Sequence, residues 1–256
     1  TKNAGFFRVF WEAVTGQRKP GDKFWGPAQR RFSVAEVDAA KSVLPILLVF
    51  AFVPPFWTLF DQTNSTWVLQ GEKMKAFDLL GLHVGAEQMQ SANPLLVMLL
   101  VPVLTLGLYP LMGRLASPLR RMSYGMFVAA FSYVIVAWLQ RRIEAGQEIS
   151  VAWQMLPYAV LTIAEVLVST TGLEFAFREA APEMKSLIMS FWLLTTTLGD
   201  MLVVFITEFF SDGSGSESVT SGRFMQYAEM LGVVAVVFSI VTCFYRYRDR
   251  TAAEGK

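Results

Sequence analysis

The 256 residues are 54% hydrophobic and 14% aromatic, with only 17% charged, against roughly a quarter charged in soluble domains. That balance excludes an ordinary soluble globular domain, and a net charge of +1 gives no reason to expect a nucleic acid partner. One Cys and one His exclude an internal disulfide framework and a Cys/His metal cluster, and leave little room for a Ser-His-Asp hydrolase. No metal or cofactor is expected.

Residues 1–41 lack a starting Met and an apolar core, so they do not read as a signal peptide. Phe6, Phe7, Phe10 and Trp11 share one helical face, with Lys2 and Arg8 nearby. This pattern predicts a helix lying in the cytoplasmic interface, ended by QRKPGDKFWGP at 17–27. A chain that opens in such a linker reads as a fragment.

A helix needs about 20 apolar residues to cross the hydrocarbon core. Stretches 42–60, 92–113 and 122–140 contain no charge. Stretches 149–173, 186–207 and 224–245 contain one each, respectively Glu165, Asp200 and Glu229. None alternates apolar with polar residues as barrel strands do. The expected fold is an all-α membrane protein, a six-transmembrane-helix bundle. Its expected divisions are a linker at 1–41, the bundle at 42–248 and a tail at 249–256. With both ends in the cytoplasm, 17 of the 22 Lys and Arg lie inside. The other five, Lys73, Lys75, Arg141, Arg142 and Arg223, lie outside. That asymmetry fits an even number of spans.

Charges inside a membrane are costly and mark functional candidates. Glu165 lies mid-span, with Tyr158, Thr162, Ser169 and Gly172 on one face at 3.6 residues per turn. Such a stripe suits a water-filled cavity; a carboxyl bridging two helices is the alternative. Asp61 ends the first charge-free run, and a helix continuing through STWVLQ aligns it with Trp57, Asn64 and Ser65. It is either an intramembrane acid or a solvated carboxylate at the outer mouth. Pro45, Pro54 and Pro55 precede it, and transporters tolerate such helix breaks beside cavities. If the six spans form two inverted triplets, Asp61 and Glu165 occupy the first helix of each. They suggest one cavity with a carboxylate on each of two facing helices, able to trade a proton for an amine. Trp192, Thr195, Thr196 and Gly199 line one side of the fifth span, beside Asp200. Trp192 is a packing residue or a pocket residue, and Asn93 an N-cap or a cavity-facing amide. His83 and Cys243 read as inert.

Three composite stretches carry a family resemblance: FWTLFDQTNSTWVLQGEKM at 56–74, NPLLVMLLVPVLTLGLYPLMGR at 93–114, and AEVLVSTTGLEFAFREAAPEMKSLIMSFWLLTTTLGD at 164–200. They resemble helices seven, eight, and ten to eleven of the proton-dependent oligopeptide transporters, within the major facilitator superfamily. The resemblance runs from the linker onward and covers the family's C-terminal six of twelve core helices, a 3+3 inverted repeat. It implies proton-coupled symport of di- and tripeptides by alternating access against an N-terminal six-helix bundle of the same transporter. Glu165 then matches the glutamate that holds the peptide amino terminus and takes part in proton coupling. Asp61 matches the acid tied to proton binding and extracellular gating, and Asn93 the asparagine that helps hold the amino terminus. Trp57 and Trp192 match residues at the pocket, and Ser169 and Thr196 are weaker matches for its polar groups.

Two features depart from the family. Where Asp200 stands the family commonly has Asn, so no role carries over. Animal members place a large extracellular domain between helices nine and ten; here 141–148 is a short loop, which implies a prokaryotic-type member of the bacterial inner membrane. The E-x-x-E-R motif of helix one and the cations that bind the peptide carboxylate belong to the N-terminal half, outside this sequence. Competing readings are a related carrier for nitrate or another solute, and a membrane receptor or scaffold that binds without transporting. An intramembrane enzyme is more distant, since no nucleophile-base or metal constellation is visible.

Overall fold

The computed structural model describes residues 4–113, 117–210 and 219–245. The expected tail at 249–256 lies outside them, as do Lys2, Arg114 and the orienting cations from Arg246 onward. Helix α1 (Phe6–Thr15) opens the described chain. Its apolar face divides: Phe6, Val9 and Ala13 are buried, while Phe7 and Trp11 are 65% and 68% exposed. Together with Phe10, Leu44, Leu47 and Phe191 they border an open apolar cleft of about 680 Å³. A loop follows in which Asp22 accepts the Lys19 backbone N–H at 2.8 Å and the Arg30 guanidinium at 2.6 Å. Those two donors hold its carboxyl below the usual carboxylate range.

After α2 (Gly26–Arg31), Ser33 and Glu36 form a capping box that opens α3 (Val34–Phe50). This start, eight residues before the expected 42, arises because the cap nucleates the helix in its polar lead-in. Helix α4 (Pro54–Asp61) begins on two prolines that cannot donate to the preceding turn. The chain bends by 41° between Val34–Phe50 and Pro54–Gly71. A 3-10 turn (Gln62–Asn64) and α5 (Thr66–Gly71) complete this broken span.

The loop beyond it contains an unexpected antiparallel hairpin, β1 (Phe77–Leu79) and β2 (Leu82–Val84). Leu80 and Gly81 turn it with φ of 51° and 82°, the positive pair that a two-residue hairpin turn requires. Helices α6 (Ala86–Met89), α7 (Ala92–Pro102) and α8 (Tyr109–Met112) form the second span, with a π-helical segment at Val103–Leu108. The third is the unbroken α9 (Pro118–Glu144). The fourth runs through a 3-10 turn, α10 (Met155–Glu165), a π-helical segment (Val166–Thr170) and α11 (Thr171–Glu179). The fifth is α12 (Lys185–Phe210) and the sixth α13 (Ser221–Cys243).

Five of these are long and apolar enough to cross a bilayer, and the bent first pair makes six. The chain is an integral membrane protein. Its core centres on α9, which packs against α10, α11 and α13 and buries Met122, Met126, Tyr133 and Val136 completely. Helix α7 instead leaves Leu95, Met98 and Leu99 exposed. At one end of the bundle, three glutamines tie the spans together. Gln70 Nε2 donates to the Val136 carbonyl and to Gln140 Oε1, each at 3.1 Å. Gln154 Nε2 donates to the Trp67 carbonyl at 2.8 Å and to Gln70 Oε1 at 3.2 Å.

Candidate functional site

Glu165 closes α10, half-buried, where the ladder passes into the π-helical segment. Asn93, in the first turn of α7, donates Nδ2 to Glu165 Oε2 at 2.8 Å and to Thr162 Oγ1 at 3.1 Å. Thr162 is buried and donates its own hydroxyl to the Tyr158 carbonyl at 2.8 Å. The N-cap position of α7 belongs to Ser91, so Asn93 is a helix-bridging amide and not a cap. The expected stripe divides on either side of this contact. Tyr158 is buried edge-on against Trp67, with centroids 4.9 Å apart. Beyond Glu165, the i→i+5 pattern of 166–170 displaces the 3.6-residue periodicity. Ser169 falls inside this segment, half-buried, and Gly172 packs beneath Trp192.

The second cluster forms where α4 meets α12. Gly199 allows the approach: a Cβ there would lie 2.5 Å from Trp57 Cβ and 3.1 Å from the Pro54 carbonyl. Thr58 Oγ1 donates to the Gly199 carbonyl at 3.1 Å. The next residue, Asp200, brings a second carboxyl beside Asp61. Asp61 Oδ2 is sealed from solvent without a partner among the described residues, whereas Asp200 is exposed on its helix.

Aromatic rings join this cluster to the end of α3, at the bend of the broken span. Trp192 is buried with its ring 5.2 Å from Phe50 and 6.3 Å from Trp57. Thr195 is buried behind it and Thr196 is half-buried. Asp61 and Glu165 thus take different partners, Asp200 on α12 and Asn93 on α7. The sequence places Asp61 and Glu165 on two facing helices; in the structure the carboxyl beside Asp61 is that of Asp200, and Glu165 lies against Asn93.

Residues 18–229 match the family model described as PTR2, POT family. The chain belongs to the POT family. A stretch of 103 residues is 41% identical to "Peptide transporter family 2" of Caenorhabditis elegans, covering 40% of this chain and 12% of that protein. A crystal structure of an auto-inhibited POT family peptide transporter matches with a TM-score of 0.77 at 39% identity, over 88% of this chain and 46% of that one. The crystal structure of the POT family transporter PepTSo matches with a TM-score of 0.80 at 31% identity, over 98% and 59%. The chain therefore spans about half the length of these solved transporters. Its relatives are transporters and not enzymes.

Within this POT chain, one part-buried ion pair escapes a reading based on charge-free runs. Arg121 Nη2 of α9 bonds Glu174 Oε2 of α11 at 2.7 Å, and its guanidinium stands 4.5 Å from the Tyr109 ring of α8. The signal was present: Glu174 lies in the same span as Glu165, and Arg121 is the last residue before a charge-free run.

Proposed function

We propose that this chain is the C-terminal six-helix half of a proton-coupled symporter for di- and tripeptides. The observation that carries the reading is the Asn93–Glu165 contact. It presents a half-buried carboxylate at a fixed position inside a span, where its charge requires a cationic partner. A peptide ammonium supplies that partner, and Asn93 orients the carboxylate toward it. Trp57, Trp192, Ser169 and Thr196 line the surrounding pocket. Asp61 binds the coupling proton and loosens an outer gate when protonated. Glu165 exchanges its charge state with the arriving amine.

Peptides then bind between this bundle and an N-terminal six-helix bundle, and rocking of the two exposes the site to each side in turn. Residues 1–41 form the cytoplasmic connection, 42–248 the bundle and 249–256 a cytoplasmic tail. Both ends face the cytoplasm, which the 17-to-5 split of cations supports, and the membrane is the bacterial inner membrane.

The test is uptake of radiolabelled dialanine by the full-length transporter in proteoliposomes under an inward proton gradient. Glu165→Gln keeps the shape and removes the charge, so uptake is expected to be lost. Unchanged gradient-driven uptake overturns the reading, as does competition by nitrate but not by unlabelled dipeptides.

A further inference from the structure

The two acid contacts are built alike and filled differently. By chain order, Glu165 lies on the fourth span and meets the second, while Asp61 lies on the first and meets the fifth. The first helix of each triplet thus sets its acid against the second helix of the other triplet. The partner of Glu165 is an amide, which donates N–H to a carboxylate and needs no proton. The partner of Asp61 is another carboxyl. An ionised carboxylate only accepts, so two carboxyls join by a hydrogen bond only when one of them carries a proton.

We propose that Asp200 is a second acid of the proton-handling site, sharing one proton with Asp61 across the α4–α12 contact. The proposal rests on the symport reading above. While the proton is present, one O–H donates to the opposite carboxyl and the helices stay joined beside Gly199. When it leaves, two like charges face each other across the helix contact, and the helices separate at that level. The proton thereby acts as the tie of the contact, which converts its binding into a helix movement.

The surroundings support this assignment. Gly199 and the Thr58 hydroxyl hold the two backbones together on one side of the pair. Asp61 Oδ2 is closed off from solvent. Asp200 is exposed on α12, so the pair is open to water on that side. The charged group acting on Asp61 is Asp200. Helix α13, the other long helix against α4, carries Arg223 and Glu229 as its charged groups.

The experiment uses the full-length transporter in proteoliposomes with radiolabelled dialanine. Uptake driven by a proton gradient is compared with counterflow exchange, which needs no net proton movement. Asp200→Asn makes the Asp61 contact resemble that of Glu165, a fixed amide on a carboxylate. It is expected to lower gradient-driven uptake by about tenfold, while exchange stays within about twofold of the unaltered protein. Asp200→Glu, which restores the second acid, is expected to recover gradient-driven uptake. Asp61→Asn combined with Asp200→Asn is expected to be no worse than Asp61→Asn alone, since a shared proton is lost only once.

Gradient-driven uptake unchanged in Asp200→Asn overturns the proposal and leaves the symport reading standing. Equal losses of driven uptake and exchange overturn it too, because they mark a packing role. Absence of gradient-driven dialanine uptake in the unaltered protein overturns both.

Discussion

Thr58 Oγ1 shares its one proton between the Pro54 carbonyl at 2.9 Å and the Gly199 carbonyl at 3.1 Å, and this contact marks which residues of the broken span face α12. One turn further along α4 stands Asp61, and next to Gly199 stands Asp200. The acid pair is therefore a consequence of a close backbone approach that only a residue without a side chain permits.

Gly199→Val is expected to disrupt that approach. Its Cβ would sit 2.5 Å from Trp57 Cβ, far inside van der Waals contact, with helix backbone on both sides. Overpacking of this kind costs about 1–3 kcal/mol, and the thermal unfolding midpoint of the purified transporter in detergent should fall accordingly. Gradient-driven uptake should fall as well, since the acids move apart. A midpoint equal to that of the unaltered protein would show that the contact yields easily.

A second prediction concerns the glutamine ties. Gln154 Nε2 satisfies both the Trp67 carbonyl and Gln70 Oε1 inside the bundle. Gln154→Leu leaves Gln70 Oε1 buried without that donor and the Trp67 carbonyl with one donor fewer, a cost of about 1–3 kcal/mol. Gln154→Glu keeps the length and loses the N–H, so it should destabilise at least as much. Thermal unfolding in the same detergent measures both; a neutral Gln154→Leu would mean that water replaces the amide.

The six spans were legible because hydrocarbon demands long apolar runs and the chain supplies them between sparse charges. Their ends were less so. Glu36, Asp38 and Lys41 stand on α3, whose start is set by the Ser33 cap and not by hydropathy. The π-helical segments at 103–108 and 166–170 leave no mark on a 3.6-residue pattern, and Ser169 lies inside the second of them. Partnership was the least visible property. Asp61 and Asp200 are 139 positions apart, and nothing local says that the first span packs on the fifth. Glu165 and Asn93 could be singled out separately, by depth and by resemblance, yet their bond appears only in three dimensions.

Gly172 gives the third prediction. A Cβ there would come within 2.6 Å of Trp192 Cη2 and Cζ3, so the indole rests directly on the glycine. Gly172→Ala forces the ring away, toward Trp57 and the proposed pocket. Pocket changes of this size shift discrimination between substrates by about tenfold. The ratio of uptake efficiencies for dialanine and diphenylalanine should change by that order, in favour of dialanine. An unchanged ratio would remove Trp192 from the pocket wall.

Asn93 offers the sharpest separation between holding an acid and merely filling space. Its amide is the donor on Glu165 at 2.8 Å and also reaches Thr162 at 3.1 Å. Asn93→Ala removes both bonds, and a hydrogen bond to a charged group contributes about 1.5–3 kcal/mol. The carboxylate then loses its orientation toward the peptide ammonium. The KM for dialanine should rise about tenfold or more, with the maximal rate much less affected, because the charge on Glu165 remains. Asn93→Asp is expected to behave differently. It recreates at Glu165 the acid–acid contact that Asp61 has with Asp200, so the two carboxyls join only while a proton sits between them. Dialanine exchange in this variant should weaken as the pH rises and the shared proton is lost, whereas Asn93→Ala should show no such additional dependence. Parallel pH profiles for the two variants would mean that position 93 acts on Glu165 through packing alone.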